Sequence, residues 1–119
     1  MTIIEIADRL IQLCAVGQFE TAQKELFSDD VISIEPYATP EFEKETKGLQ
    51  AIIEKGNKFQ EMVETMHQLT VSAPLVASAS FVVSMHMDVT MKGKTRMDMN
   101  ELCLYKVKDG KIISEEFFI

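Results

Sequence analysis

At Met66 the chain changes period, and that change limits what it can fold into. Before it, apolar residues recur at helical spacing: Ile3, Ile6, Ala7, Leu10, Leu13 and Cys14, then Phe19, Ala22, Leu26 and Phe27, then Leu49, Ile52, Ile53, Gly56, Phe59, Met62 and Val63. After it, apolar and polar residues alternate. A period of about 3.6 lays side chains along one stripe of a helix, and a period of two lays them on one face of a strand. Helices followed by a run of antiparallel strands imply an α+β fold with the helices on one sheet face.

Local signals place the elements. Thr2 and Glu5 make a capping box for the first helix, which Gly17 ends. Ser28-Asp29-Asp30 breaks the second helix, and Val31 to Glu35 reads as a β-branched strand closed by Pro36. Tyr37 to Lys47 is polar and reads as a loop or flap. Gly48 opens a third helix running to about Thr65. Gly56 falls on its buried stripe at a cost of about 1 kcal/mol in helix propensity, which a close approach to the sheet would explain. His67 to Val76 reads as a strand interrupted near Pro74. Phe81 to Met91 and Thr95 to Val107 flank a Lys92-Gly93-Lys94 turn, and Lys111 to Ile119 follows an Asp109-Gly110 turn. The predicted order is α-α-β-α-β-β-β-β.

The 119 residues make one domain, 1–119. That length buries a core without disulfides or metal. A net charge of −7 works against nucleic acid and anionic membrane, both of which are bound through clustered Lys and Arg. Cys14 and Cys103 lie far apart in apolar surroundings and read as reduced core thiols. The N-terminus has no signal-peptide pattern, and no apolar stretch reaches the roughly 20 residues of a membrane span. A cytoplasmic protein is expected.

The Lys92-Gly93-Lys94 turn sets the register of the long hairpin. With Met91 opposite Thr95, one face pairs Val83 with Cys103, Met85 with Glu101, Met87 with Met99 and Val89 with Met97. The other face pairs Ser84 with Leu102, His86 with Asn100, Asp88 with Asp98 and Thr90 with Arg96. The first face is apolar and is expected to meet the helices. Its methionines suit either core filling or a pocket wall. Glu101 stands out on it, since a carboxylate there must find a partner, take a proton or reach water. On the second face, Val82, Leu102 and Leu104 form an apolar patch that suits a homodimer contact. His86, Asp88, Asp98 and Asn100 also share that face, but no recognised metal-ligand spacing occurs, so no metal site is expected.

The final turn decides which glutamate faces inward. A three-residue Lys108-Asp109-Gly110 loop pairs Val107 with Lys111 and turns Ile113, Glu115, Phe117 and Ile119 inward. A two-residue Asp109-Gly110 loop turns Ile112, Ser114, Glu116 and Phe118 inward instead. The Lys-Asp-Gly-Lys sequence favours the former.

Four stretches together resemble the NTF2-like superfamily, and within it the SnoaL-like branch. They are the helical start ending at Gly17, LFSDDVISIEP at Leu26 to Pro36, Lys47-Gly48 at the third helix, and LYKVKDGKIISEEFF at Leu104 to Phe118. The resemblance covers essentially the whole chain. It implies a strongly curved, mostly antiparallel sheet wrapped on a long helix, a cone with a pocket at its open end. Ketosteroid isomerase shares that fold. Its general-base carboxylate precedes a proline at the end of the first strand, where this chain has Glu35 and Pro36. Its oxyanion tyrosine and protonated acid correspond to Ile11 and to a position near Cys103. The resemblance therefore implies a base without those two electrophiles. Strict alternation with Ile32 and Ile34 would point Glu35 outward, whereas the resemblance points it inward.

The expected site is a small-molecule pocket with Glu35, Glu101, Glu115 and His67 as candidate catalytic groups. His67 shares a strand face with Leu69 and Val71. Met85, Met87, Met99, Cys103, Phe59, Phe117 and Tyr105 are the expected walls. Carboxylates crowded in an apolar cavity cannot all stay charged, so one serves as acid and another as base. Tyr105 is a candidate oxyanion donor. Isomerisation, cyclisation or dehydration of a small apolar carbonyl compound fits, with Glu35 as base and no cofactor. The alternative is a non-catalytic binding or dimerisation module, because this fold hosts both.

Overall fold

In the computed structural model, which describes residues 1–119, helix α1 (Ile3–Cys14) opens on the expected capping box. Glu5 N–H donates to Thr2 Oγ1 at 3.2 Å, and Thr2 N–H donates to the Glu5 carboxylate at 2.8 Å. The helix buries Ile6, Ala7, Leu10, Leu13 and Cys14, and Gly17 follows it with φ at +77°. Helix α2 (Phe19–Leu26) runs directly into strand β1 (Phe27–Ile34), which starts earlier than the Val31 the sequence suggests. The polar stretch after Pro36 is mostly loop, but its end forms a short strand, β2 (Glu45–Lys47), antiparallel to β1.

Helix α3 (Leu49–Met62) stops before Thr65, and strand β3 (Val63–Val71) begins at once. Then come β4 (Leu75–Val76), β5 (Ser80–Met91), β6 (Arg96–Lys108) and β7 (Lys111–Phe118). The sheet order is β2-β1-β7-β6-β5-β3, with β4 also on β5. Every pairing is antiparallel except β1 with β7. That parallel pair joins the first long strand to the last, so the sheet is completed only when the C-terminal strand docks. The result is an α+β fold with three helices on one side of a curved mixed sheet. No helix is long and apolar enough to cross a membrane.

The β5–β6 register is the expected one, including Met85 opposite Glu101 and Met87 opposite Met99. The last hairpin differs. Lys108 pairs with Lys111, so the loop is the two-residue Asp109-Gly110, with φ at +53° and +74°. Two consecutive left-handed residues match the twist of the flanking strands. A bulge then adds Ile113 between the Val107–Ile112 and Lys106–Ser114 pairs. One extra residue reverses the facing of everything beyond it. Ile112 and Glu115 therefore both point inward, at 0% and 5% exposure.

The solid core lies where α1 and α2 meet the sheet, around Ile6, Leu10, Leu26, Val31, Phe81, Val83 and Ile112. Phe81 and Tyr105 stack there, ring centroids 5.0 Å apart. Gly56 makes no close approach to the sheet. Its nearest neighbour is the side chain of Gln23, 3.8 Å from where a methyl would sit.

Candidate functional site

Between the helices and the concave face of β5, β6 and β7 lies a cavity of about 500 Å³. The loop from Pro36 to Phe42 and the β5–β6 turn border its mouth, through Tyr37, Thr39, Glu41, Phe42 and Lys94. Lys58 of α3 holds that loop, donating to the Glu41 carbonyl at 2.5 Å and standing 5.1 Å over the Phe42 ring. Glu41 also pairs with Lys94 at 3.6 Å.

Glu35, Glu101 and Glu115 all line this cavity, with Phe59, Met85, Met87, Met99, Tyr105 and Phe117. Two expected members are elsewhere. Cys103 is fully buried in the core and does not border the cavity. His67 is exposed, and its Nε2 hydrogen-bonds with Thr90 Oγ1 at 2.7 Å on the outer face. The cause is a second bulge: β3 pairs Met66 with Val89 and Gln68 with Asp88, so His67 is the extra residue and loses the facing of Leu69 and Val71.

Glu35 reaches the cavity because β1 turns Val31 and Ser33 inward, both fully buried, and leaves Ile32 and Ile34 half-buried on the outer face. Two residues that the sequence did not single out tie the carboxylates together. Lys55 Nζ donates to Glu35 Oε1 at 3.0 Å and to Ser33 Oγ at 2.7 Å. Ser33 Oγ donates in turn to Glu115 Oε1 at 2.7 Å. The line Glu35–Lys55–Ser33–Glu115 crosses from the end of β1 through α3 to β7. Lys55 also lies 5.8 Å from the centre of the Phe117 ring. A signal for Lys55 was available: it falls three residues after Ile52 and four before Phe59, on the buried stripe of α3. Ser33 shares the strand face of Val31 and Glu35.

Burial sets the electrostatics. It raises the Glu115 carboxyl despite Lys55 and the Ser33 hydrogen bond, with the Glu35 charge adding to the rise. Burial, then the Glu35 and Glu115 charges, push Glu101 up to about 7. A carboxyl so raised holds its proton near neutral pH and can donate a hydrogen bond. Burial also pushes Cys14 up to about 12, raises Cys103, and raises the Tyr105 hydroxyl well above its usual range. Neither thiol is placed to be a nucleophile. His86 with Asp98, and Arg96 with Asp88, pair on the outer face. No three His, Cys, Asp or Glu side chains are grouped to hold a metal ion.

Solved structures share this architecture. A Mesorhizobium loti protein provisionally described as a SnoaL-like polyketide cyclase is 34% identical, with both chains covered fully and a TM-score of 0.92. A Jannaschia protein of the same provisional description is 17% identical over 97% of this chain and 83% of its own, with a TM-score of 0.76. A Catenulispora acidiphila protein with a ketosteroid isomerase-like fold, solved with trimethylamine, is 15% identical over 100% of this chain and 87% of its own, also at 0.76. At such identities the last two show the fold alone. No curated protein matches the chain. The SnoaL-like domain profile spans residues 1–119, and the chain belongs to that family.

Proposed function

We propose that this chain is an acid/base enzyme acting on a small apolar carbonyl compound. Glu35 takes a proton from the carbon beside the carbonyl. The electron pair moves onto the oxygen, which receives a hydrogen bond from protonated Glu115. The resulting enolate then takes the proton back from Glu35 at another carbon, or attacks a second carbonyl whose oxygen takes that proton, giving isomerisation or cyclisation. The observation that carries this reading is the hydrogen-bonded line across one apolar cavity, with Lys55 beside Glu35 at one end and buried Glu115 at the other. Ser33 occupies Oε1 of Glu115, so a proton on Oε2 is free to donate. Glu115 would then supply the donor that Ile11 and Cys103 do not.

Hydrogen–deuterium exchange beside the carbonyl tests this. Cyclic enones are incubated with the protein in deuterated buffer and followed by NMR. Exchange above the buffer rate is expected, with a loss of about 100-fold or more in Glu35→Gln. Equal rates in the variant exclude Glu35 as the base. Enone binding without exchange supports the non-catalytic alternative.

A homodimer through the outer sheet face is also inferred. Leu102 is 52% exposed and Phe118 44%, beside half-buried Val82, Leu104 and Ile34. Sedimentation is expected to give a dimer mass for the native chain and a monomer mass for Leu102→Glu. A native monomer rejects this contact.

A further inference from the structure

Glu101 is the cavity carboxylate that the proposed chemistry leaves unused. The others that line the cavity have partners: Glu35 pairs with Lys55 at 3.0 Å, Glu41 with Lys94 at 3.6 Å, and Glu115 accepts from Ser33 at 2.7 Å. The Glu101 carboxylate takes no ion pair and no hydrogen bond from any other side chain or backbone group, although its backbone joins the β5–β6 ladder. Its position explains why. It lies opposite Met85, one row from the Met87–Met99 pair and one from Val83–Cys103, so its sheet neighbours bring no cation. In the same sheet, the adjoining strand β7 brings Glu115 and the end of β1 brings Glu35, both acidic. Helix α3 brings Lys55, which is committed to Glu35 and Ser33. Lys94 and Glu41 at the mouth satisfy each other.

The lining therefore holds more carboxylates than cations, and the rest of it is largely methionine and aromatic ring. A carboxylate in such a wall is stabilised by a counter-ion. Aromatic rings such as those of Phe59 and Phe117 attract cations to their faces and leave anions unsupported, and Lys55 already stands 5.8 Å over the Phe117 ring. We propose that the small molecule taken up here carries a protonated amine on an apolar body, with Glu101 as its counter-ion. This rests on the reading of the cavity as a small-molecule site and narrows its substrate to an amino-substituted carbonyl compound. Above about pH 7, where Glu101 is ionised, carboxylate and phosphate ligands are disfavoured.

The sign of the pH dependence separates this from a purely neutral ligand. The free Glu101 carboxyl is raised to about 7, chiefly by burial. An alkylammonium stays charged up to about pH 10. It needs ionised Glu101, so its affinity rises with pH through neutrality and its binding expels a proton below that. A neutral carbonyl accepting from protonated Glu101 shows the opposite trend.

Isothermal titration with phenylbutylamine and its neutral counterpart phenylbutanol tests the proposal on the native chain. The amine is expected to bind at least about tenfold tighter than the alcohol near pH 8.5, and to gain about thirtyfold between roughly pH 5.5 and 8.5. In Glu101→Gln both differences vanish. Equal affinities in the native chain, or an amine that weakens as pH rises, overturn the inference and leave the small-molecule reading standing. If neither probe binds, the small-molecule reading itself falls and takes this inference with it. The native measurements decide the matter even if the variant fails to fold.

Discussion

Strands β5 and β6 carry two different inner surfaces along one uninterrupted ladder. Near β4, Phe81 pairs with Tyr105 and Val83 with Cys103; all four are at most 3% exposed, and of them only Tyr105 reaches the cavity lining. Toward the turn, Met85 faces Glu101 and Met87 faces Met99, and these four border the cavity. The ladder does not break between them, so on these two strands side-chain choice separates core from cavity wall. Rings and β-branched chains have few rotamers and interlock into a solid core. Unbranched thioethers keep a wall apolar without fixing its shape. Pocket and core are thus two outcomes of one backbone.

The largest test of that contrast is truncation at each end. Phe81→Ala should cost about 3–5 kcal/mol, because its site is closed on all sides and collapses poorly. Met87→Ala, which truncates beside open space, should cost only about 2 kcal/mol, the low end for such a change. Urea unfolding of both variants measures the difference. Similar losses would show that the methionine end is packed as tightly as the other.

Glu101 offers a smaller, pH-dependent test. Its folded-state carboxyl is raised to about 7 by burial and by the Glu35 and Glu115 charges. Its unfolded value is near 4.3. Between the two the folded chain holds the extra proton, so stability is fully present below the unfolded value and is lost as pH rises toward 7, by at most about 4 kcal/mol. Glu101→Gln removes this loss. It should be more stable than the native chain by about 2 kcal/mol near pH 8 and little different near pH 4.5. Glu115 is raised in the same direction, so part of the slope survives. Urea midpoints across pH check this, and a slope unchanged by the substitution would mean that Glu101 is solvated rather than held in the wall.

The parts of this site that were legible in sequence are those where period and turn agree. The Lys92-Gly93-Lys94 turn set the β5–β6 register, and with it Glu101 among methionines. Bulges hid the rest. The extra residue at His67 turned that side chain to the outer face, and nothing in Thr65 to Leu69 signals it. Glu115 faces inward as expected but for another reason: the two-residue turn alone would have turned it outward, and Ile113 reversed the facing. On β1 the apolar pattern misleads, because Ile32 and Ile34 look like the inner residues. The inner face instead spends Ser33 on the Lys55–Glu115 line. A polar residue bought inward by a hydrogen bond carries no hydrophobic signal. Lys55 is the converse, a charged residue at a stripe position, which marks an ion pair inside the fold.

The smallest test concerns Gly56. Glycine inside a helix costs about 0.5–1 kcal/mol relative to alanine, and no positive φ requires it here. A methyl would meet only the Gln23 side chain, at 3.8 Å and 3.9 Å, which is ordinary contact. Packing therefore does not demand glycine at this position, but the cavity borders it. Gly56→Ala should stabilise the chain by about 0.5–1 kcal/mol in thermal unfolding, since helix propensity is gained and nothing is displaced. Phenylbutylamine affinity measured on the same variant gives the other half of the comparison. A more stable chain that binds less tightly would mean the glycine serves the cavity at the fold's expense. A destabilised chain would mean that Gln23 and α3 pack more closely than their separation implies.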